Sequence, residues 1–232
     1  MPSNGSTESE ILLPPLFLDS NVIVGYQLSP YHRISNPSDN IFQSENPLWW
    51  SEKVRRECYG QEKYHGVCHT QHKSLTKEIL RIKYEIINQT LSIDKLSQYK
   101  YLGNTIKKLI TEQNLTQEQL LNWLDSSLQT HQTEYNIKKA YIHQRLTLHT
   151  RETDYPAVTN RIKSLISEAH IERDDSDIEI WLDAHDLCIK EYLSNLIFIS
   201  DDRKHVIAAA DAICSSTNIY KIIPPKEYCT QH

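Results

Sequence analysis

The run Leu196-Ile197-Phe198-Ile199 is apolar at every position and too short to form a helix of its own. Its residues favour strands, and a strand apolar on both faces suits a parallel sheet covered by helices on each side. The run stops at Ser200-Asp201-Asp202. Carboxylates therefore fall at the carboxyl end of a buried strand, the edge where open α/β sheets bind ligands. The helical stretch before it carries Asp183 and Asp186, spaced to share a face. Leu16-Phe17-Leu18-Asp19-Ser20-Asn21-Val22-Ile23 has the same shape: an apolar strand ends in an acid, and two small hydrogen-bonding residues follow. If the two strands are parallel neighbours, Asp19 and Asp202 point into one crevice. Clustered carboxylates repel, and at neutral pH such a cluster persists mainly when a divalent cation neutralises it.

Between these strands the periodicity is helical. Gly25 to Pro47 reads as a loop, and helical pattern runs with interruptions from near Leu48 to about Ala169. Leu75, Ile79, Ile82 and Ile86 make one apolar stripe, and Leu102, Ile106, Leu109 and Ile110 another. Thr116-Gln117-Glu118-Gln119 has capping-box form, and Pro156 fits a first helical turn. A final strand is expected over about 218–223. The 232 residues suffice for one large domain, or a domain with an insertion. Residues 1–12, rich in Ser, Asn and Glu, are expected to be disordered.

The net charge of −5 argues against a broad basic surface that would coat long duplexes, but leaves room for a nucleic-acid enzyme with local basic patches. Five cysteines at scattered spacings, with no signal peptide or long apolar run, imply a reduced, cytoplasmic protein without a membrane span.

Four short blocks resemble the PIN-domain nucleases. LFLDSNVI is similar to the family's opening strand, with Asp19 in the first metal-binding position and Ser20 where threonine is more usual. Ser51-Glu52-Lys53-Val54-Arg55-Arg56-Glu57 resembles the helix that bears the second acid, which would be Glu57. DAHDL resembles the helix of the third acid, Asp183, and FISDDRKH the last acidic strand end, with Ser200 and Asp202 on a Thr-x-Asp pattern. IIPPKEY is similar to the closing strand and proline turn. The span from Glu57 to Asp183 is much longer than the family's usual connection.

The resemblance implies a three-layer α/β/α PIN-like parallel sheet with a large helical insertion. Residues 13–60 and 171–232 would form the core, and 61–170 the insertion. It also implies a metal-dependent endonuclease, acting on single-stranded or structured RNA in preference to DNA. Many relatives are toxin ribonucleases held by a small antitoxin, and the insertion sets this chain apart from those compact forms. Mg²⁺ or Mn²⁺ would be bound by Asp19, Glu57, Asp183 and Asp202, with Asp201 competing for the last place. Hard cations want carboxylate oxygens, and one or two such ions ionise a water and neutralise the leaving oxygen. Ser20, Asn21 and Ser200 would orient the carboxylates. Asp186 reads as a solvated neighbour, or a group just outside the direct ligands, rather than a first ligand. The alternative is a catalytically silent PIN-like module whose insertion binds nucleic acid or a protein partner. A haloacid-dehalogenase-like phosphatase needs a second acid two residues after the first, where this chain has Asn21.

Three further features have both a functional and a plainer reading. His65, Cys68, His69 and His72 have zinc-compatible spacing on a helix, but a solvated His-rich face is the better expectation. Trp49-Trp50 could stack a base but reads rather as packing. Arg55-Arg56, Lys107-Lys108 and Lys138-Lys139 could hold phosphates; the lysine pairs read as solvated faces.

Overall fold

The computed structural model describes residues 13–32, 35–61, 64–171 and 175–231, so the stretch expected to be disordered, 1–12, lies outside them. The chain opens with β1 (Leu16–Leu18), α1 (Ser20–Gln27), α2 (Ser35–Gln43), β2 (Leu48–Ser51) and α3 (Glu52–Tyr59). A short antiparallel hairpin, Gly60–Gln61 with Tyr64–His65, leads into α4 (Val67–Ile87), a 3₁₀ turn (Ile93–Gln98), α5 (Gly103–Thr111) and α6 (Gln117–Arg145). Then come β3 (Leu146–His149), α7 (Pro156–Glu168), α8 (Asp175–Lys190) and β4 (Ile197–Ile199). A π-helical turn (Arg203–Ile207), α9 (Ala210–Ser216), β5 (Lys221–Ile223) and α10 (Pro225–Gln231) complete it.

The five strands form one parallel sheet in the order β3-β2-β1-β4-β5, flanked by helices. The expected adjacency of the two acid-ended strands is present: Leu16 pairs Ile197, Phe17 pairs Phe198 and Leu18 pairs Ile199. Phe17 and Phe198 stack with ring centroids 5.5 Å apart, and every residue of both strands is buried, which is why both runs are apolar throughout. From β1 the chain adds strands to one side (β2, β3) and later to the other (β4, β5). The order therefore reverses between β1 and β4, which opens a crevice at their carboxyl ends.

Several local expectations differ from the structure. The stretch expected as a loop contains α2, whose Pro37 sits in the first turn, where proline is tolerated, and whose Ile41 and Phe42 are buried. Leu48 to Ser51 is a strand, because Leu48 and Trp49 pair with Leu16 and Phe17. Trp50 is buried, its ring edge-on to Tyr59 and His143, so it packs and is closed to base stacking. Leu146 to His149, inside the stretch expected to be all helical, pairs in register with Leu48 to Ser51 as an edge strand.

Two apolar cores follow. The first covers the sheet and takes in Ile142, Leu146, Ile162 and Ile166. The second is confined to Leu75 through Leu124, where the two sequence stripes meet α6. The second core thus lies well inside 61–170, while Cys68, Ile142, Leu146, Ile162 and Ile166 from the outer parts of that range pack in the first. The Thr116 capping box forms as expected: Gln119 N donates to Thr116 Oγ1 at 3.3 Å, and Thr116 N to Gln119 Oε1 at 2.9 Å. Gly66 lies just before α4, where a Cβ would come within 2.3 Å of the Cys58 carbonyl oxygen; its role is close approach. Among the described residues no helix is long and apolar enough to cross a membrane.

Candidate functional site

Asp19 follows β1 directly and caps α1. Its Oδ1 accepts from Ser20 N at 2.6 Å and from Ser20 Oγ at 3.3 Å; its Oδ2 accepts from Asn21 Nδ2 at 2.7 Å and from Ser200 Oγ at 2.6 Å. Asn21 also reaches across the crevice, donating to Ser200 Oγ at 3.1 Å and accepting from Asp201 N at 2.9 Å. Ser20, Asn21 and Ser200 therefore hold the Asp19 carboxylate, and Asn21 and Ser200 tie the ends of β1 and β4 together. Burial pushes the Asp19 carboxyl above its ordinary range, with Asp202 adding to the effect, against hydrogen bonds from Ser200 and Ser20.

Asp202 is half-buried and caps the π-helical turn. Its Oδ1 accepts from Lys204 N and His205 N, both at 3.0 Å, and its Oδ2 lies 3.0 Å from His205 Nδ1. Burial would raise its pKa, but the bonds from the His205 backbone and ring and from Lys204 outweigh it, so the carboxyl stays below its usual range. Asp201 is buried beside it, its amide taken by Asn21.

Glu57 reaches the crevice from α3. Burial pushes it up to about 7, the Asp19 carboxylate adds to the rise, and a hydrogen bond from Ser20 and the charge of Lys53 oppose it; Asp177 raises it further. Asp19, Glu57, Asp177 and Asp202 thus form one electrostatically linked set. Asp177, in the first turn of α8, was not singled out in the sequence. Among the described residues, one group of three or more potential metal ligands has atoms all within 4.8 Å of one another: Asp177, Asp202 and His205. The available signal was His205 three residues after Asp202, a spacing that puts both on one turn.

Asp183 takes a different place. Its Oδ1 accepts from Arg151 Nε at 2.9 Å, Ser51 at the end of β2 also bonds to it, and Arg151 further pairs with Glu179. Burial raises its pKa against those two hydrogen bonds, and its charged neighbours are Arg151 and His149. It sits over the ends of β2 and β3, whereas Asp19 and Asp202 lie at β1 and β4. Asp186 is fully buried, not solvated. It accepts from Tyr155 OH at 2.6 Å, with His149 Nε2 at 2.9 Å and Lys190 Nζ at 3.3 Å. Those three groups hold its carboxyl low despite the burial.

Arg55 and Arg56 both bind Glu52, which lowers that acid to about 2 with the Arg55 bond leading. Lys53 and Arg56 still line two open cavities. One, of about 360 Å³, contains Glu57 and His65; the other, of about 380 Å³, contains Arg151, Glu179 and Asp183. The His/Cys run splits three ways. The rings of His65 and His69 meet tilted with centroids 4.1 Å apart, Cys68 is buried against Cys58, and His72 Nδ1 lies 2.8 Å from His131 Nε2. These four side chains do not gather around one point. Lys138 binds the Ser29 carbonyl, Lys139 lies over the Tyr59 ring, and Lys107 and Lys108 are exposed.

No family model, curated protein or solved structure matches the chain.

Proposed function

We propose that the protein is a metal-dependent endonuclease of PIN-like design, hydrolysing phosphodiester bonds, with RNA preferred over DNA on the strength of the resemblance. One observation carries this: two buried parallel strands deliver Asp19 and Asp202 to the crevice where the strand order reverses, and Glu57 and Asp177 add carboxylates to it. The donor set suits a divalent cation, since carboxylate oxygens are the ligands that Mg²⁺ and Mn²⁺ prefer. Asp19, Glu57, Asp177 and Asp202 line the crevice that would hold it, and Asp183, paired with Arg151, would take no part. Such an ion supplies an ionised water near neutral pH and neutralises charge on the leaving oxygen.

The chain's own residues do the positioning. Asn21 and Ser200 fix one Asp19 oxygen. Ser20 is the adjustable partner: its 3.3 Å bond to Asp19 is the longest of the four, and its hydroxyl also serves Glu57. Turning that hydroxyl fully to Glu57 frees an Asp19 lone pair and orients Glu57 toward a water. Lys53 and Arg56, shared by the two cavities, present cations where a phosphate chain would pass.

A second reading, a catalytically silent module that binds nucleic acid or a protein partner, draws on one observation. The two Asp19 oxygens already accept four hydrogen bonds, about their full capacity. Incubation of a mixed single-stranded RNA pool with Mn²⁺ or Mg²⁺ decides between them. Metal-dependent cutting by the wild type, lost in Asp19→Asn, supports the nuclease. No cutting by either, with no thermal shift on adding Mn²⁺, supports the silent module.

A further inference from the structure

We propose that Asp177, Asp202 and His205 form a mixed oxygen–nitrogen seat for a transition-metal dication, Mn²⁺ or Zn²⁺, in preference to Mg²⁺. The geometry is local and specific. Asp202 caps the turn that carries His205, and two backbone amides on its Oδ1 aim Oδ2 at the imidazole. Oδ2 and His205 Nδ1 stand 3.0 Å apart. Two adjacent ligands at right angles on one ion, each about 2.1 Å from it, are separated by about this distance. Asp177 comes from the first turn of α8, and its ligand atom lies within 4.8 Å of both others, close enough to complete one face of the same coordination sphere.

The nitrogen decides the metal. Mg²⁺ takes near-ideal octahedral oxygen coordination and keeps several of its waters, whereas imidazole suits zinc best, and Mn²⁺, the weakest binder of the first-row series, takes one nitrogen beside its carboxylate oxygens. The seat shares Asp177 and Asp202 with the proposed reaction site, where Asp202 acts electrostatically on Asp19 and Asp177 on Glu57. It deepens the nuclease reading and rests on its metal dependence, yet binding can be read without cleavage.

The experiment uses the full chain, stripped of metal and titrated with Mn²⁺, followed by calorimetry and by pulsed electron paramagnetic resonance for ¹⁴N coupled to the ion. We expect an imidazole nitrogen signal that disappears in His205→Gln, with affinity at least about tenfold weaker. Asp177→Asn should weaken binding similarly while keeping the nitrogen signal. Metal-free melting curves matching the wild type would show that both variants fold. Zn²⁺ should displace Mn²⁺ at comparable concentration, and Mg²⁺ should need at least tenfold excess. Failure of Mn²⁺ and Zn²⁺ to bind, bound Mn²⁺ with no nitrogen signal, or affinity unchanged by either substitution would each overturn the seat. A protein that binds Mn²⁺ through His205 but cuts no RNA would sink the nuclease reading alone.

Discussion

Ser200 Oγ donates to Asp19 Oδ2 at 2.6 Å, joining two residues 181 positions apart at the ends of adjacent parallel strands. The bond is buried, and Asn21 bonds to both of its partners, so the floor of the crevice is a closed hydrogen-bonded unit. Removing the Ser200 hydroxyl leaves Asp19 Oδ2 with Asn21 alone. Ser200→Ala should cost about 1 kcal/mol in stability. It should also lower metal-dependent cleavage roughly tenfold by loosening the carboxylate. Urea unfolding and RNA cleavage rates check the two effects separately, and a variant as active as wild type would show that Asp19 needs no such support.

Asp19 itself should be far more sensitive. Asp19→Asn keeps the size of the side chain but removes the central negative charge, and cleavage in Mn²⁺ should fall by roughly 100-fold or more. The loss should persist at saturating RNA. A variant that merely binds substrate more weakly would recover there.

Asp183 is expected to behave as a structural acid. Its partner Arg151 is largely buried, so Arg151→Met strands an uncompensated carboxylate and should destabilise the fold by about 3 kcal/mol. Adding Asp183→Asn to that variant should restore part of the loss. On its own Asp183→Asn should leave most of the cleavage activity. Collapse of activity in a normally folded Asp183→Asn protein would instead put this residue in the reacting set.

Acid should loosen the seam between α4 and α6. His131 is buried, 2.8 Å from His72, with Tyr31, Tyr135 and Lys138 around it. Burial lowers its pKa from 6.5 to about 4, with the His72 charge adding to the shift, and burial lowers His72 as well. Between those pH values the unfolded chain binds the proton that the folded one refuses. The contribution is therefore fully present above about pH 6.5 and is lost as pH falls toward 4, by roughly 3 kcal/mol at the lower end. Urea midpoints across that range should decline for the wild type and decline less for His131→Phe. Parallel curves would refute the assignment.

Much of the crevice was legible because it is made of local rules. The apolar runs at Leu16 and Leu196 had to be buried strands, their acids had to stand at one edge once the strands paired, and Ser20, Asn21 and Ser200 lay within a few bonds of those acids. Strands β2 and β3 were hidden. Leu48 to Ser51 and Leu146 to His149 are four residues each, run straight into or out of helices, and are strands only because neighbours pair with them.

The acids on α8 show the same division. Sequence alone placed a helix before β4, with Asp183 and Asp186 along it. Asp177 and Asp183 differ by six residues, about 9 Å along the axis and roughly 120° around it. The rotation and depth at which the helix docks decided that Asp177 meets Asp202 and Glu57 while Asp183 meets Arg151 and Ser51. Strand alternation and capping are settled by neighbouring residues, and so can be read along the chain. The phase of one helix against a sheet depends on how distant side chains fill the core, and only the folded chain sets it.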